Sequence, residues 1–215
     1  MRWNEILFDL DGTLTDPALG ITNAIIYARK KWGMDPGKNE DFYPFIGPPM
    51  PQSFTDYWGM DPEDARRFLD DYREYFGEIG LFENTPYPGI VPLLAGLKDR
   101  GARLYVATTK PTPFSERIVE KFGMAEYFEL VSGSCFDGTR GNKADVIAYA
   151  RDTCHIDMSR AVLIGDRMHD AEGAALCGIP CIGVSYGYGG RAELEAAGCL
   201  HVVDSVAELE EYLLQ

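Results

Sequence analysis

Two carboxylates separated by a single leucine, Asp9 and Asp11 in ILFDLDGT, directly follow three bulky apolar residues. Side chains at i and i+2 of an extended segment share a face, so both acids can address one ligand. Close carboxylates repel, so one of them holds its proton or a cation joins them. An ionised Asp9 is a nucleophile toward an electrophile, and a protonated Asp11 is a proton donor to a leaving group. Gly12 and Thr13 turn the chain next and offer backbone N–H groups suited to phosphate oxygens. The plain alternative is an Asp-Gly turn closing a solvated strand end. The string alone leaves both readings open.

Other chemistry-bearing residues follow at wide intervals. Thr108 and Thr109 in YVATTKP offer a hydroxyl and an N–H to a phosphoryl oxygen, although threonine also suits strands and helix caps without any ligand. In DGTRGNKADVI, Asn142 is a plausible N-cap, which puts Lys143 in the first helical turn. A cation there opposes the helix dipole at a cost of roughly 0.3–1 kcal/mol. A lysine aimed at an anion would instead share that anion with the helix N-terminus. In GDRMHD, Asp166 doubles as a candidate N-cap for a helix starting near Arg167, and Asp170 follows four residues on. Together with Asp9 and Asp11 these acids form an all-oxygen donor set suited to Mg²⁺. The ion would relieve the repulsion and admit a phosphate dianion.

What positions such residues is a rhythm of short apolar runs. Strands are expected at 6–8, 103–109, 128–133, 161–166, 181–185 and 201–203. Helix-period segments lie between them, at 89–100, 112–122, 142–153, 168–177, 190–197 and 205–213. Alternation of this kind predicts an α/β fold, a doubly wound, Rossmann-like parallel sheet with helices on both faces. In open sheets of this class the ligand sits beyond the carboxyl ends of the strands, which is where Asp9, Asp11, Thr108, Thr109 and Asp166 fall. One interval breaks the rhythm. Between Pro17 and Tyr87 there are helical patterns near 18–32, 50–58 and 61–76 and no convincing strand, too long a stretch for a loop. The expected organisation is therefore a core of residues 1–16 and 84–215 with a small helical cap, 17–83, inserted after the first strand.

Composition narrows the function classes. The chain has 215 residues, 46% of them hydrophobic and 12% aromatic, enough for a substantial core. No apolar run approaches the roughly 18 residues of a membrane span, and the N-terminus lacks the features of a signal peptide. A soluble, cytoplasmic protein is expected. Five scattered cysteines, with Cys177 and Cys181 spanning an apparent helix end and strand start, read as reduced thiols and not as a zinc site or a disulfide framework. Twenty basic against 34 acidic residues give a formal charge of −14, which repels nucleic acid polymers and anionic membranes. An anionic substrate needs a local positive charge.

Taken in order, DLDGT at 9–13, the Thr108 region, Lys143 and GDRMHD at 165–170 resemble the four motifs of the haloacid dehalogenase superfamily of aspartate-nucleophile phosphohydrolases. The likeness covers nearly the whole chain. It is closest to the phosphoglycolate phosphatase-like and 5′-nucleotidase-like branch, in FDLDGTLTDPALGITNAI, FIGPPMPQSF, DGTRGNKADVI and GVSYGYGG. The resemblance implies that Asp9 forms an aspartyl-phosphate, that Asp11 is general acid and then base, and that Thr108 and Lys143 hold the transferring group. It further implies Mg²⁺ bound by Asp9, the Asp11 backbone carbonyl and Asp166, with Asp170 in support. The substrate would be a small phosphorylated metabolite.

Among family chemistries, a dehalogenase would need neither Asp11 nor a metal. A phosphomutase would need a cap cation for a second phosphate, and FIGPPMPQSF has none. A 5′-nucleotidase or a pyrophosphatase stays open. A phospho-acceptor signalling module also combines Asp, Thr, Lys and Mg²⁺, but Asp11 and the insertion set this chain apart from it. Phe45, Ile46, Pro48, Pro49 and Met50 either line the substrate or pack the cap. Arg140 and Lys110 are candidate contacts for a substrate carboxylate, His169 reads as a rim residue, and the YGYGG tyrosines read as packing residues.

Overall fold

Strands buried on both faces carry unbroken apolar runs, and this chain supplies several. In a computed structural model that describes residues 2–48 and 50–215, the strands in chain order are β1 (Glu5–Phe8), the two-residue β2 (Thr15–Asp16) and β3 (Thr85–Pro86), β4 (Arg103–Pro111), β5 (Phe128–Ser134), β6 (Ala161–Gly165), β7 (Cys181–Val184) and β8 (His201–Val203). The long sheet runs β5-β4-β1-β6-β7-β8 and is parallel throughout. Chain order climbs outward from β1 through β4 to β5, then restarts on the other side of β1 with β6. That reversal opens a crevice beyond the carboxyl ends of β1, β4 and β6.

The helices are α1 (Ala18–Lys31), α2 (Met50–Trp58), α3 (Pro62–Glu78), α4 (Ile90–Asp99), α5 (Thr112–Lys121), α6 (Lys143–Cys154), α7 (Met168–Leu176), α8 (Gly190–Ala196) and α9 (Val206–Leu214). Several begin where a polar side chain takes up an orphan amide of the first turn. Asp61 accepts from Glu63 and Asp64 ahead of α3, Asn142 from Asp145 at α6, and Ser205 from Glu208 at α9. These helices and the six strands of the long sheet lie within two residues of the expected positions, whereas the short β2 and β3 were not expected. Asn39–Phe45, read from sequence as a connecting segment, forms a 3₁₀ helix.

Two compact units result: Met1–Asp16 with Pro86–Gln215, and Pro17–Thr85. The second unit has its own aromatic core, in which Phe45 packs on Phe42, Phe54, Tyr57 and Trp58, and Phe54 packs on Phe68. Phe45 is therefore a buried core residue of this unit, and Ile46 beside it is fully buried. The neighbouring Pro49 lies outside the described residues.

In the first unit Leu7 is fully buried in a cluster with Tyr105, Val146, Ile147 and Leu163. Truncating it removes methyl groups from both the sheet and the helix layer. Leu7→Ala is expected to cost about 2–5 kcal/mol, read as a lower urea midpoint at unchanged m-value.

Candidate active site

Where β1 ends, the chain turns sharply. The Leu10 carbonyl accepts from Thr13, Leu14 and Thr15, and the Gly12 amide donates to the Thr15 carbonyl at 2.8 Å. The amides of Gly12 and Thr13 are thus used inside the turn, and the phosphate cradle expected of them is not made by these two groups. Gly12 contributes its missing side chain instead. Its φ is +81°, and a Cβ at this position would collide with the Asp166 carboxylate.

The turn leaves Asp9 and Asp11 buried at the strand end. β6 ends at Gly165 and delivers Asp166, and α7 begins two residues later. The amide of Arg167 donates to Asp170 Oδ2 at 3.0 Å, so Arg167 is the N-cap of α7 and Asp166 is not. Freed from capping, Asp166 accepts from the Tyr188 amide at 2.8 Å through Oδ2. Ligand-capable atoms of Asp9, Asp166 and Asp170 lie within 4.8 Å of one another.

Lys143 opens α6, and its ammonium is buried among them. Nζ lies 2.8 Å from Asp9 Oδ1, 2.8 Å from Asp170 Oδ1 and 2.8 Å from the Ala107 carbonyl at the end of β4. These three contacts match the three donors of an ammonium. Burial alone would lower the Lys143 pKa, but Asp170 and Asp9 hold it above the ordinary lysine value.

β4 delivers the remaining groups through a fault in its ladder. Its register with β5 shifts between Ala107 and Pro111, which frees Thr108, Thr109 and Lys110 from regular pairing. Thr108 is buried, and its Oγ1 accepts from the Lys110 amide at 3.2 Å. Thr109 is half-buried, and its carbonyl accepts from Ser134. Lys110 Nζ is paired with Asp11 Oδ2. This cation was expected to meet a substrate carboxylate and is instead bound to a site acid. Arg140 is also engaged, with Cys135 Sγ at 2.9 Å and over the Tyr149 ring. His169 is half-buried beside Glu172.

Four buried carboxylates, Asp9, Asp11, Asp166 and Asp170, thus face two ammonium groups. Burial, followed by Asp170 and Asp9, pushes the Asp166 carboxyl well above the usual carboxylate range. Burial likewise raises Asp170 and Asp11, against the opposing pull of Lys143 and Lys110. Asp11 Oδ1 and Asp166 Oδ1 are buried without a hydrogen-bond partner, a costly condition for an acceptor. With all four acids ionised the site carries two uncompensated negative charges, which one divalent cation would balance. An all-oxygen donor set of this kind fits Mg²⁺.

Two supports were not foreseen from the sequence. Lys110 on Asp11 is one. The other is the SYGYGG turn, whose tyrosines were read as packing residues. Tyr186 does donate its hydroxyl to the Thr13 carbonyl, but the backbone of the turn grips Asp166. A Cβ at Gly187 would strike the Asp166 carboxylate, and the Gly189 amide donates to the Asp166 carbonyl. Glycines on both sides of Tyr188 were the available signal.

The family model described as haloacid dehalogenase-like hydrolase matches residues 6–184. A 5′-nucleotidase from Pseudomonas aeruginosa is 41% identical over 99% of this chain and 96% of its own length. Tyrosine-protein kinase PtkA from Mycobacterium tuberculosis is 38% identical over 96% of this chain and 70% of its own. A crystal structure described as a predicted phosphatase from Clostridium acetobutylicum superposes with a TM-score of 0.96 at 45% identity, covering 99% of this chain and 98% of that one.

Proposed function

The chain belongs to the haloacid dehalogenase-like hydrolases and is an enzyme of their phosphatase type, and from that premise we propose that it is a Mg²⁺-dependent phosphomonoesterase working through an aspartyl-phosphate on Asp9. The observation that carries this reading is the convergence of Asp9, Asp166 and Asp170 within 4.8 Å around a buried lysine.

Asp9 attacks phosphorus through a carboxylate oxygen, and the bond from phosphorus to the ester oxygen breaks. Asp11 gives its proton to that oxygen, which leaves as an alcohol. Asp11, now a carboxylate, takes a proton from water as the water oxygen attacks phosphorus. Inorganic phosphate departs and Asp9 is regenerated. Lys143 and Thr108, with Thr109 beside them, hold the non-bridging oxygens during both transfers. Asp9, Asp166, Asp170 and the Asp11 carbonyl would hold Mg²⁺, which supplies the positive charge that lets a phosphate dianion approach buried carboxylates.

All of these residues lie in the first unit, so we assign the choice of substrate to Pro17–Thr85 acting as a cap. The substrate class is a small phosphorylated metabolite, with phosphoglycolate and nucleoside 5′-monophosphates foremost. Similarity to a 5′-nucleotidase supports the latter. Among the described residues no helix is long and apolar enough to cross a membrane, and the five cysteines are free thiols. Both facts are consistent with the cytoplasmic setting that belongs to this proposal.

The kinase relative supports a second reading, in which the phosphoryl group passes to a hydroxyl other than that of water. A screen of about a hundred phosphorylated metabolites, including pyrophosphate and nucleoside triphosphates, separates the two. Hydrolysis yields free inorganic phosphate from at least one small monoester in the presence of Mg²⁺. No release from any compound would refute the phosphatase reading.

A further inference from the structure

We propose that Lys110 is the positioning residue for proton transfer at Asp11, pinning one carboxylate oxygen so that the other faces the leaving group. The inference rests on the acid and base role given to Asp11 above.

Lys110 Nζ lies 2.5 Å from Asp11 Oδ2, and both side chains are buried. Asp11 Oδ1 is buried without a hydrogen-bond partner. A carboxylate free to rotate about χ2 presents either oxygen. Fixing Oδ2 makes Oδ1 the atom that carries the proton.

Lys110 is itself held in place. Its amide donates to Thr108 Oγ1, and its carbonyl lies where Gly133 has no side chain. Burying an ammonium for the sake of an ion pair adds little stability, whereas a fixed proton donor contributes directly to rate.

In the step concerned, the phosphorus–oxygen bond to the leaving group breaks as the Asp9–phosphorus bond forms. The proton on Asp11 Oδ1 moves to the departing oxygen, and Lys110 keeps its own protons throughout. An alkoxide needs that proton. A 2,4-dinitrophenolate does not. A Lys110 that merely gripped phosphate would serve both leaving groups equally.

The test is single-turnover release from ethyl phosphate and from 2,4-dinitrophenyl phosphate by the Mg²⁺-loaded enzyme. Lys110→Met is expected to slow ethanol release about 10- to 100-fold, and dinitrophenolate release by less than about threefold. Lys110→Arg should recover part of the ethyl phosphate rate. Equal slowing of both esters, or no slowing of either, overturns the proposal. If Lys110→Met fails to fold, Lys110→Gln is measured on the same two esters with the same criteria. Asp9→Asn separates this proposal from the one beneath it. Dinitrophenolate release surviving in that variant would refute the covalent mechanism itself, while loss in Asp9→Asn beside equal slowing in Lys110→Met would refute only the role of Lys110.

Discussion

Asp9→Asn folds normally and releases phosphate from no ester, with kcat lower by at least about 10⁴-fold. The carboxamide keeps the shape of the side chain and an oxygen that can accept from Lys143, so the buried lysine retains Asp170, Ala107 and an acceptor at position 9. What disappears is the anionic oxygen that bonds to phosphorus. The change therefore separates chemistry from folding more cleanly than a change at Lys143 would, since removing that cation leaves buried acids uncompensated. Phosphate release and thermal melts on the same sample check the result. Turnover within tenfold of the parent enzyme would remove Asp9 from the nucleophile's place.

Removing divalent metal is expected to have a comparable effect and to be reversible. In excess chelator, activity falls to background, and added Mg²⁺ restores it. The cause is the charge excess at the strand ends, where four buried acids face two ammonium groups. Without a further cation, a phosphate dianion meets repulsion, and the acids take up protons instead of acting as ligands. The ion also leaves a mark in the absence of substrate. At a hundred times its dissociation constant it stabilises the fold by about 2.7 kcal/mol, seen as a Tm higher by roughly 5–11 °C for a chain of this size. Full turnover in excess chelator, or a melting curve indifferent to Mg²⁺, would argue against the metal.

Much of the site could be read from where apolar runs stop. ILF, YVA and AVLIG each end in polar residues, and a parallel sheet gathers such ends at one edge. Asp9 and Asp166 meet for that reason, though far apart in the chain, and Asp170 joins them from the first turn of α7. What remained hidden was carried by backbone and by tertiary choice of partner. A peptide N–H has no letter in a sequence, so the grip of Tyr188 on Asp166 could not be named in advance. Gly12 and Thr13 show the same limit from the other side, because their amides close the turn. Asp166 and Arg167 compete for one capping position, and the reach of Asp170 back to the Arg167 amide decides it. From sequence Lys110 read as a candidate contact for a substrate carboxylate, just past an expected strand. Only the slipped register of β4 brings it to Asp11. Phe45 lies in an apolar stretch that suits a substrate lining and a packed interior equally, and the surrounding rings put it in the interior.

The central place of β1 has a consequence for how the protein is made. Glu5 pairs with Arg103 on one side and with Ala161 on the other, so β1, made before the other five strands of the long sheet, waits longest for its neighbours. At roughly 5–20 residues per second, about ten to thirty seconds pass before the second of them has been synthesised. Throughout that interval the apolar segment that leads to Asp9 lacks its complete sheet, and pairings of such sequence separation form slowly. Nascent chains of this architecture are therefore expected to be exposed to wrong partners early and to become competent late, so that soluble yield falls when chaperones are scarce.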